Sequence, residues 1–416
     1  INQYAFSAEQ AEAIVTLQLY RLTNTDVTEL KDEQKKLNQQ IEEFQLILTN
    51  DQELANVLRR EMLAIKKEFG NPRRTKIESH VEKLRVDTKV TVAKEDVILL
   101  VSHAGYIKRS SVRSFKASPI DENGLREDDY PILIQQTNTL AHLFMFTNLG
   151  NVIYRPVHEI TDARWKDTGE HISQTIGLAE NEHIIKAMVF DKLDQPGTII
   201  MGTSDGQIKQ SAFTDYKPGS RYKSRTTTGI KLKSDEARLV SVDYYEPTNE
   251  NRSLLVISHE GYAVRFDVAD VPVTGLRTGG VRAINLKDDD YATDYTLVSE
   301  GQNLAMITQR GAFKEMASSE IETGARARRG ELVIHRIKNH PHKIVDFLAY
   351  DPDKHDVLEI ITDRPAFQDV AVDDHHLGTA KSNGTFVVDT DTQGTPVKLR
   401  RKKVNVLNEE PVNQEN

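Results

Sequence analysis

A recurring set of lysines and arginines is the feature of this sequence best suited to chemistry, and that chemistry is phosphate binding. In five similar segments a basic residue follows a glycine by three to five positions; these residues are Lys108, Arg109, Arg155, Lys209, Arg265 and Lys314. Any one of them alone is most simply a solvated surface charge. If the segments occupy equivalent places in the fold, however, the set forms a discontinuous belt matched to a curved phosphate backbone.

A second basic set lies between these segments, in stretches that each contain a glycine and read as short strands. Its members are Arg221, Lys223, Arg225, Arg277, Arg282, Arg326, Arg328 and Arg329. Glycine inside a strand indicates a bulge or a close approach of two backbones. We therefore expect these stretches to cross from one repeat to the next and to add their charges to the belt.

Other chemistries have little support in the sequence. The chain has no cysteine, which excludes disulfide scaffolds, zinc–thiolate sites and thiolate catalysis. There is no His-Glu-x-x-His spacing and no Gly-x-x-x-x-Gly-Lys-Ser/Thr phosphate loop. The acidic clusters at 288–290 and 373–376 are predicted to be solvated turns, because adjacent residues rarely converge on one ion. We expect no catalytic residue and no metal site.

Composition sets the scale of the molecule. The 416 residues, 38% hydrophobic and 28% charged, predict two or three domains at roughly 150 residues each. The net charge is −9, so any binding of nucleic acid requires a local basic surface. Because the sequence has no signal peptide and no apolar run near the ~18 residues of a membrane span, we expect a cytoplasmic protein. The first residue is Ile1, which suggests a piece of a longer polypeptide whose missing part holds the chemistry.

Residues 1–88 are predicted to be helical. Ser7 and Gln10 fit a capping box, and Asp51 is a good N-cap for a later helix that Gly70 ends. The apolar positions follow a heptad-like spacing and are Leu30, Leu37, Ile41, Phe44, Leu48, Leu54, Leu58, Met62, Ile65 and Phe69. This stripe indicates either a helix packed on its own domain or a coiled-coil arm whose partner helix lies in the missing part.

Beyond residue 90 the pattern becomes strand-like and repeats six times. The copies are residues 97–115, 143–160, 198–216, 253–271, 303–321 and a degraded 357–375. Each copy is an apolar strand, a turn and a second strand, and the turn residues are Gly105, Gly150, Gly206, Gly261, Gly311 and, in the sixth copy, Pro365. Glycine supplies the positive φ that a tight hairpin needs. Units of this size cannot bury their faces alone, so we predict a mainly β, propeller-like ring of six blades over about 90–400.

Several motifs resemble the A subunits of bacterial type IIA topoisomerases, and within them topoisomerase IV. They are residues 11–23, 66–70 and 72–75, the Gly-Tyr-Ile-Lys-Arg hairpin at 105–109, residues 149–155 and Arg-Trp-Lys-Asp-Thr-Gly-Glu at 164–170. The resemblance implies exit-gate helices at 1–24, a coiled-coil arm at 25–75, a linker at 76–92, and a six-bladed β-pinwheel at 93–405 that binds bent DNA on its rim. The residues at 406–416 are expected to be a disordered tail.

The resemblance also implies an activity and partners. The holoenzyme would pass double-stranded DNA through a double-strand break, with Mg²⁺ and with ATP hydrolysed by the topoisomerase IV B subunit, as an A2B2 assembly containing an A-subunit dimer at the nucleoid. No cofactor is expected in this piece. The family's catalytic tyrosine would precede Ile1, and the Arg221-Tyr222 pair lies in an unrelated context. We expect the piece alone not to cleave DNA.

Two alternatives remain open at this stage. Gyrase A subunits carry a Gln-Arg-Arg-Gly-Gly-Lys-Gly box in the first blade, whereas this chain has an acidic stretch at 120–129 that would repel phosphates and weaken chiral wrapping. The other alternative is a protein-binding propeller of the WD-repeat kind, although its Gly-His…Trp-Asp signature is absent.

The sequence also supports expectations about its one tryptophan, three of its tyrosines and a basic run at 398–403. The one tryptophan, Trp165, is predicted to be core. Three tyrosines are predicted to pack between blades and not to stack on bases; they are Tyr106, Tyr154 and Tyr262. The basic run at 398–403 either closes the last blade or touches DNA, and the sequence does not decide between these.

Overall fold

The computed structural model describes residues 6–16, 24–72, 75, 92–246, 252–287, 289–364, 367–402 and 406–407. The chain divides into two compact units, residues 1–89 and 90–416. In the described part, no helix is long and apolar enough to span a bilayer.

The first unit is helical: α1 (Ala8–Val15), α2 (Asn24–Thr49) and α3 (Asp51–Phe69). The capping box is confirmed, because Ser7 Oγ accepts from the Gln10 N–H at 3.2 Å and Gln10 Oε1 accepts from the Ser7 N–H at 3.0 Å. The predicted N-cap of α3 is wrong by one residue: Asn50 Oδ1 accepts from the Gln52 N–H at 3.0 Å. Asp51 instead begins the helix, where its carboxylate complements the macrodipole.

The apolar stripe of α2 and α3 is exposed. Leu37 and Ile41 are each 51% exposed and Phe44 is 58% exposed. Within the described residues the stripe is therefore an apolar surface and not a core. This favours the interpretation that its partner helix is supplied from elsewhere.

The second unit is built from short strands. In chain order they are β1 Asp96–Ser102, β2 Tyr106–Ser111, β3 Pro131–Asn138, β4 His142–Thr147, β5 Asn151–Pro156, β6 Glu170–His171, β7 Ile184–Phe190, β8 Thr198–Thr203, β9 Gln207–Ala212, β10 Thr227–Thr228, β11 Leu239–Tyr245, β12 Arg252–Ser258, β13 Tyr262–Asp267, β14 Val281–Arg282, β15 Ala292–Ser299, β16 Asn303–Thr308, β17 Ala312–Ala317, β18 Glu331–Leu332, β19 Ile344–Tyr350, β20 Val357–Thr362, β21 Phe367–Ala371, β22 Thr385–Phe386 and β23 Pro396–Arg401. Two short helices accompany them, α4 (Val112–Lys116) and α5 (Thr390–Gln393).

These strands form six sheets, the blades of a six-bladed propeller, as predicted. From the innermost strand outwards, blades 1 to 6 are β3-β1-β2-β6, β7-β4-β5-β10, β11-β8-β9-β14, β15-β12-β13-β18, β19-β16-β17-β22 and β23-β20-β21. After each hairpin from the second onwards, the chain crosses to the preceding blade, adds a two-residue outer strand there, and returns to form the inner strand of its own blade. Blade 6 has three described strands.

We call the outward excursions the crossing segments; they are residues 161–171, 217–228, 272–282, 322–332 and 375–386. The predicted crossing of glycine-containing strands between repeats is confirmed at Gly280 and Gly330. Both have positive φ, +75° and +87°, and a Cβ on either would overlap the backbone carbonyl of the neighbouring hairpin strand. Gly229 is different, since it follows the outer strand and a Cβ there would overlap the side chains of Met201 and Val152.

The hairpin glycines also behave as predicted. Gly105, Gly150, Gly206, Gly261 and Gly311 all have positive φ, between 77° and 102°. Pro365, which replaces glycine in the sixth copy, lies outside the described residues.

We expect Gly330→Ala to lower the free energy of unfolding by roughly 2–4 kcal/mol, because the left-handed backbone and the overlap with the Ala263 carbonyl both penalise a side chain. Urea titration followed by circular dichroism measures this. Gly275→Ala is the matched control: Gly275 lies in another crossing segment and a Cβ there meets nothing within 4 Å, so its effect should stay within about 0.5 kcal/mol. Equal effects of the two substitutions would contradict the crossing geometry.

Hydrophobic side chains fill the spaces between consecutive blades. Separate clusters join blades 1 and 2, 2 and 3, 3 and 4, 4 and 5, and 5 and 6. The remaining cluster covers the other face of blade 1, where Phe115 and Trp165 pack with Val406 and Leu407. These last two residues belong to the segment expected to be disordered, so that expectation is corrected for them; residues 408–416 lie outside the described part, as does nearly all of the predicted linker.

A backbone hydrogen bond also links neighbouring blades, at the residue that starts each inner strand. Its N–H donates to a turn carbonyl of the preceding blade in four cases: Ile184 to His103 (3.2 Å), Leu239 to Asn148 (2.8 Å), Ala292 to Ser204 (2.8 Å) and Ile344 to His259 (2.9 Å). The same register position holds Pro396 in blade 6 and Pro131 in blade 1. Proline has no N–H, so both seams of blade 6 lack this bond.

Candidate nucleic-acid interface

The hairpin lysines occupy one register position in alternate blades. Lys108, Lys209 and Lys314 pair across their hairpins with Leu100, Met201 and Met306. Their exposed fractions are 0%, 1% and 2%. The reason is architectural: in a propeller both faces of a sheet pack against neighbouring blades, so a residue in the middle of a strand has no solvent on either side.

The ammonium groups of these lysines bind backbone carbonyls. Lys108 Nζ donates to the carbonyls of Asn123 and Asp167, each at 2.6 Å, and to that of Trp165. It also lies 4.8 Å from the centroid of the Trp165 ring, which adds a cation–π attraction. The lysine thereby holds a crossing segment against blade 1.

The other two lysines act in the same way. Lys209 Nζ donates to the Gly229 carbonyl at 2.6 Å, and Lys314 Nζ donates to the carbonyls of Ser382, at 3.0 Å, and Val333. Burial lowers the pKa of each of these lysines, as of Lys108, to about 8. Carbonyl dipoles replace the lost hydration of the charge only in part.

The hairpin arginines also donate hydrogen bonds to backbone carbonyls. The guanidinium of Arg155, 6% exposed, donates to the Tyr222 carbonyl at 2.9 Å and the Lys223 carbonyl at 3.0 Å. Arg109 Nε donates to the Ile160 carbonyl at 2.8 Å, and Arg265 donates to the Ser318 carbonyl at 3.0 Å. Both side chains are half-buried.

The expectation of an exposed cationic belt is therefore wrong for Lys108, Arg155, Lys209 and Lys314, and Arg109 and Arg265 are largely engaged with protein. A buried ammonium that is saturated by carbonyls cannot also contact a phosphate. The signal was present in the sequence, because each of these cations stands inside the second hairpin strand and not in the turn. We expected these strands to lie on an exposed rim, whereas the propeller packs side chains against both of their faces.

The second basic set lies on the crossing segments and is exposed in part. Arg221, Arg225, Arg277 and Arg282 are exposed. In the described part of the chain no carboxylate forms an ion pair with any of the four. Lys223 is also exposed, but its Nζ pairs with Glu159 at 3.0 Å.

The cations of the fourth crossing segment are more engaged. Arg326 donates to the carbonyls of Asp270 (3.1 Å) and Arg282 (2.9 Å). Arg328 pairs with Glu331 at 3.6 Å, and the Arg329 guanidinium lies 4.3 Å from the centroid of the Tyr262 ring. All three are half-buried, so their charges are partly satisfied by protein groups and only partly available to a ligand.

Equivalent backbone geometry places these segments alike on successive blades. Arg277 and Ala327 both adopt left-handed φ, 66° and 65°, and each stands three residues before the glycine that packs on the neighbouring hairpin. Left-handed backbone at a non-glycine residue is uncommon, so its recurrence shows that the two segments share one conformation. Contact of their arginines with DNA stays a prediction.

Blade 1 presents the opposite charge. In the stretch 120–129, the carboxylates of Asp121, Glu122, Glu127 and Asp128 are exposed, whereas Asp129 is buried. The Arg-Trp-Lys-Asp-Thr-Gly-Glu motif is a crossing turn: Arg164 pairs with Asp167 at 3.1 Å, and Trp165 is fully buried, as predicted for a core tryptophan.

The three tyrosines predicted to pack between blades differ in their surroundings. Tyr154 is 9% exposed and packs with Tyr222 and Phe144 between blades 2 and 3. Tyr106 and Tyr262 are half-buried; Tyr262 lies beneath the Arg329 guanidinium. Packing is confirmed for Tyr154.

The basic run at 398–403 bonds within the propeller. Lys398 Nζ lies 3.1 Å from Asp294 Oδ2 and 3.0 Å from Asp346 Oδ2, and so ties the inner strands of blades 4, 5 and 6 together. Arg400 pairs with Glu359 and donates to the Pro131 carbonyl of blade 1. These contacts favour closure of the last blade over DNA contact; Lys403 lies outside the described residues.

The acidic clusters do not have metal-ligand geometry where the structure describes them. In the described residues no group of three or more His, Cys, Asp or Glu side chains is arranged to hold a metal ion. Asp373 instead contacts His355 at 2.9 Å, and Asp288 lies outside the described part.

Comparison with known proteins places this geometry in a family. A family described as DNA gyrase C-terminal domain, beta-propeller, matches residues 96–119, 141–191, 197–244 and 252–294. The A subunit of DNA topoisomerase 4 from Streptococcus pneumoniae is 39% identical over 401 residues, 93% of this chain and 48% of that protein. The Bacillus subtilis protein of the same name is 36% identical over 394 residues, 95% of this chain and 48% of its own length. The chain thus spans about half the length of these relatives.

Solved structures agree with the sequence matches. The crystal structure of the C-terminal domain of DNA topoisomerase IV is similar with a TM-score of 0.68 and 35% identity, covering 74% of this chain and 94% of that one. A gyrase A C-terminal domain, 21% identical with a TM-score of 0.55, shares the fold. On its crossing-strand propeller, its motifs and these likenesses together, the chain belongs to the gyrase A and topoisomerase IV A family, among the topoisomerase IV A subunits.

Proposed function

We propose that this chain is the DNA-binding part of a topoisomerase IV A subunit, which holds and bends a duplex segment against the crossing segments 217–228 and 272–282. The observation that carries the proposal is the set of four exposed guanidinium groups at Arg221, Arg225, Arg277 and Arg282. They lie on neighbouring blades, and no described carboxylate pairs with them. Contacts of this kind position a phosphate backbone without reading sequence.

Binding across several blades favours bent DNA. A duplex that follows the outer edge of a ring must curve, and the cost of bending depends on the deformability of its sequence. The propeller therefore prefers flexible or already curved segments, such as those at crossings between duplexes. That preference supports a role in selecting DNA for strand passage, including the unlinking of daughter chromosomes.

The remaining steps belong to the whole enzyme. In this proposal the catalytic tyrosine lies in a preceding segment, the B subunit hydrolyses ATP, Mg²⁺ supports cleavage, and two A subunits meet at an exit gate in an A2B2 assembly in the cytoplasm, at the nucleoid. The exposed apolar stripe of α2 and α3 supports a coiled-coil arm that leads to this gate. The isolated chain contributes electrostatic positioning and no bond chemistry.

The acidic stretch of blade 1 argues against gyrase-like wrapping. Its exposed carboxylates repel phosphates at the place where chiral wrapping needs a cationic box. Relaxed DNA circles closed in the presence of the chain should acquire little positive writhe. Marked positive writhe would favour the gyrase alternative.

Fluorescence anisotropy with a labelled duplex of about 30 base pairs tests the proposal itself. We expect binding at 50 mM salt and a loss of affinity of at least about 100-fold by 200 mM, because each phosphate contact releases counterions and contributes about −0.9 to the slope of log K against log salt. Sequence changes that leave the flexibility of the duplex unchanged should matter little, whereas more flexible duplexes should bind more tightly. Failure to bind at 50 mM salt, or binding that does not change with salt, would overturn the proposal.

A further inference from the structure

The crossing segment 217–228 carries two of the four guanidinium groups of the proposed DNA surface, those of Arg221 and Arg225, yet it has little core of its own. Arg221, Lys223 and Arg225 are all exposed, and the regular structure in the segment is the two-residue strand β10. Exposed loops of this kind adopt many conformations unless their backbone is tied down. The shape of the cationic surface therefore depends on what holds this backbone.

Two buried cations help to hold it, beside the pairing of β10 with β5 and the hydrogen bond from the Tyr222 hydroxyl to Glu159 at 2.9 Å. The Arg155 guanidinium in blade 2 donates to the carbonyls of Tyr222 and Lys223, which lie between Arg221 and Arg225. Lys209 in blade 3 donates to the carbonyl of Gly229, the residue that follows the segment. The middle and the end of the segment are thus attached to two different blades.

We infer that Arg155 and Lys209 are positioning residues for DNA binding, which act through the crossing segment 217–228 and not by touching phosphate. This inference rests on the proposed function. Arg155 is 6% and Lys209 is 1% exposed, so neither side chain reaches a ligand on the surface. Their charge-assisted bonds to carbonyls are stronger than neutral hydrogen bonds, and the planar fork of arginine spans two carbonyls that a single ammonium cannot hold in the same geometry.

The test compares four substitutions in the full 416-residue chain: Arg155→Met, Arg155→Lys, Lys209→Met and Lys209→Gln. For each, hydrogen–deuterium exchange measures the opening of residues 217–228, and anisotropy with the 30-base-pair duplex measures affinity. We expect exchange in the segment to rise at least about 10-fold and the Kd to rise about 10-fold for Arg155→Met. Lys209→Met should act in the same direction.

Conservative variants separate positioning from simple charge. Arg155→Lys keeps the charge but loses the fork, so it should recover only part of the affinity; full recovery would show that charge alone matters and would overturn the inference. Lys209→Gln is included in case Lys209→Met fails to fold. A glutamine, Gln368, stands at the same register position in blade 6, so the fold accepts this side chain there. The Lys209→Gln variant should fold and still show a looser segment and a weaker complex.

Lys192→Met is the matched control, since it removes one exposed charge from the turn between β7 and β8. Its Kd and the exchange of residues 217–228 should stay within about twofold of the wild type. If the wild-type chain does not bind the duplex, the proposed function falls and this inference with it. If the wild type binds, and Arg155→Met loosens the segment while its Kd stays within twofold, the inference alone is overturned.

Discussion

Simultaneous replacement of Arg221, Arg225, Arg277 and Arg282 by glutamine is expected to weaken duplex binding on the order of 100- to 1,000-fold at 100 mM salt. The four guanidinium groups are exposed and carry no described carboxylate partner, so their full charge is available to phosphates. The slope of log K against log salt should fall by about 3 to 4, because each lost phosphate contact removes about 0.9. Anisotropy titrations between 50 and 200 mM salt give both quantities.

A control with the same change in net charge separates contact from general attraction. Arg59, Arg60, Lys192 and Lys354 are exposed outside the crossing segments, and their replacement by glutamine should lower affinity by less than about fivefold, since none of them lies on the proposed interface. If the two quadruple variants weaken binding equally, the crossing segments are not the interface. The thermal unfolding of both should match that of the wild type, because surface changes of this kind rarely alter stability by more than about 0.5 kcal/mol.

The second large effect concerns the charged group at the axis of the propeller. Lys398→Met is expected to lower the free energy of unfolding by about 2–4 kcal/mol at pH 8, because the buried Asp346 carboxylate is left without a cation, and the 37% exposure of the Lys398 side chain moderates the loss. Asp346, 2% exposed, would lose its ammonium partner and keep only the N–H of Leu399, at 2.8 Å. Urea or thermal unfolding followed by circular dichroism measures the change.

The stability lost in Lys398→Met should depend on pH, and the burial of the Asp346 carboxyl determines whether the loss grows or shrinks as pH rises. Burial raises the pKa of Asp346 to about 7, even though the Lys398 ammonium acts in the opposite direction. An acid whose folded pKa is raised stabilises the fold fully below its unfolded pKa, near 4, and loses that contribution as pH rises through the folded pKa. Without Lys398 the folded pKa rises further, so the variant continues to lose stability above pH 7, at up to about 1.4 kcal/mol per pH unit. The penalty at pH 5.5 should therefore be smaller than at pH 8.

Two further variants make this prediction specific. Adding Asp346→Asn to Lys398→Met removes the stranded charge and keeps an acceptor for Leu399, so most of the lost stability should return. Lys186→Met is the matched control: Lys186 occupies the same register position in blade 2 and pairs with Asp243 at 3.1 Å, but the Asp243 side chain is 27% exposed where that of Asp346 is 3% exposed. Its cost should be below about 1 kcal/mol. Equal costs for the two lysines, or no change with pH, would contradict the assignment.

The helix caps and hairpin turns are features that local sequence predicts. Ser7 and Gln10 form their capping box, and Gly105 and its four equivalents take positive φ, because a cap or a tight turn is decided by the few residues that make it. The six-fold repeat was predictable for a related reason: each copy carries the same turn and the same strand pattern, and such units bury their faces only by stacking. Even the crossing at Gly280 and Gly330 was visible as glycine within a strand.

The candidate site depends on a property that local sequence does not predict, which is whether a basic side chain is buried or exposed. Lys108 and Arg225 are both basic residues near a glycine; Lys108 differs in standing inside a hairpin strand, but strand position alone does not show that both faces of that strand are covered. The difference arises because packed side chains from distant parts of the chain cover both faces of the strand that holds Lys108, whereas Arg225 lies on an exposed part of a crossing segment. Burial is a property of the assembled ring.

By itself, the sequence determined the elements, the number of blades, the absence of cysteine chemistry and the places where an inner strand begins with Pro131 or Pro396. Only the tertiary structure decided what these residues do. Register and blade order turn a missing proline N–H into an absent link between blades. They also turn four of the fourteen candidate cations inward, where these bind backbone carbonyls of or beside the crossing segments; the four are Lys108, Arg155, Lys209 and Lys314. Local sequence fixes conformations of a few residues at a time, whereas solvent access and charge pairing depend on which distant segments come to lie beside them.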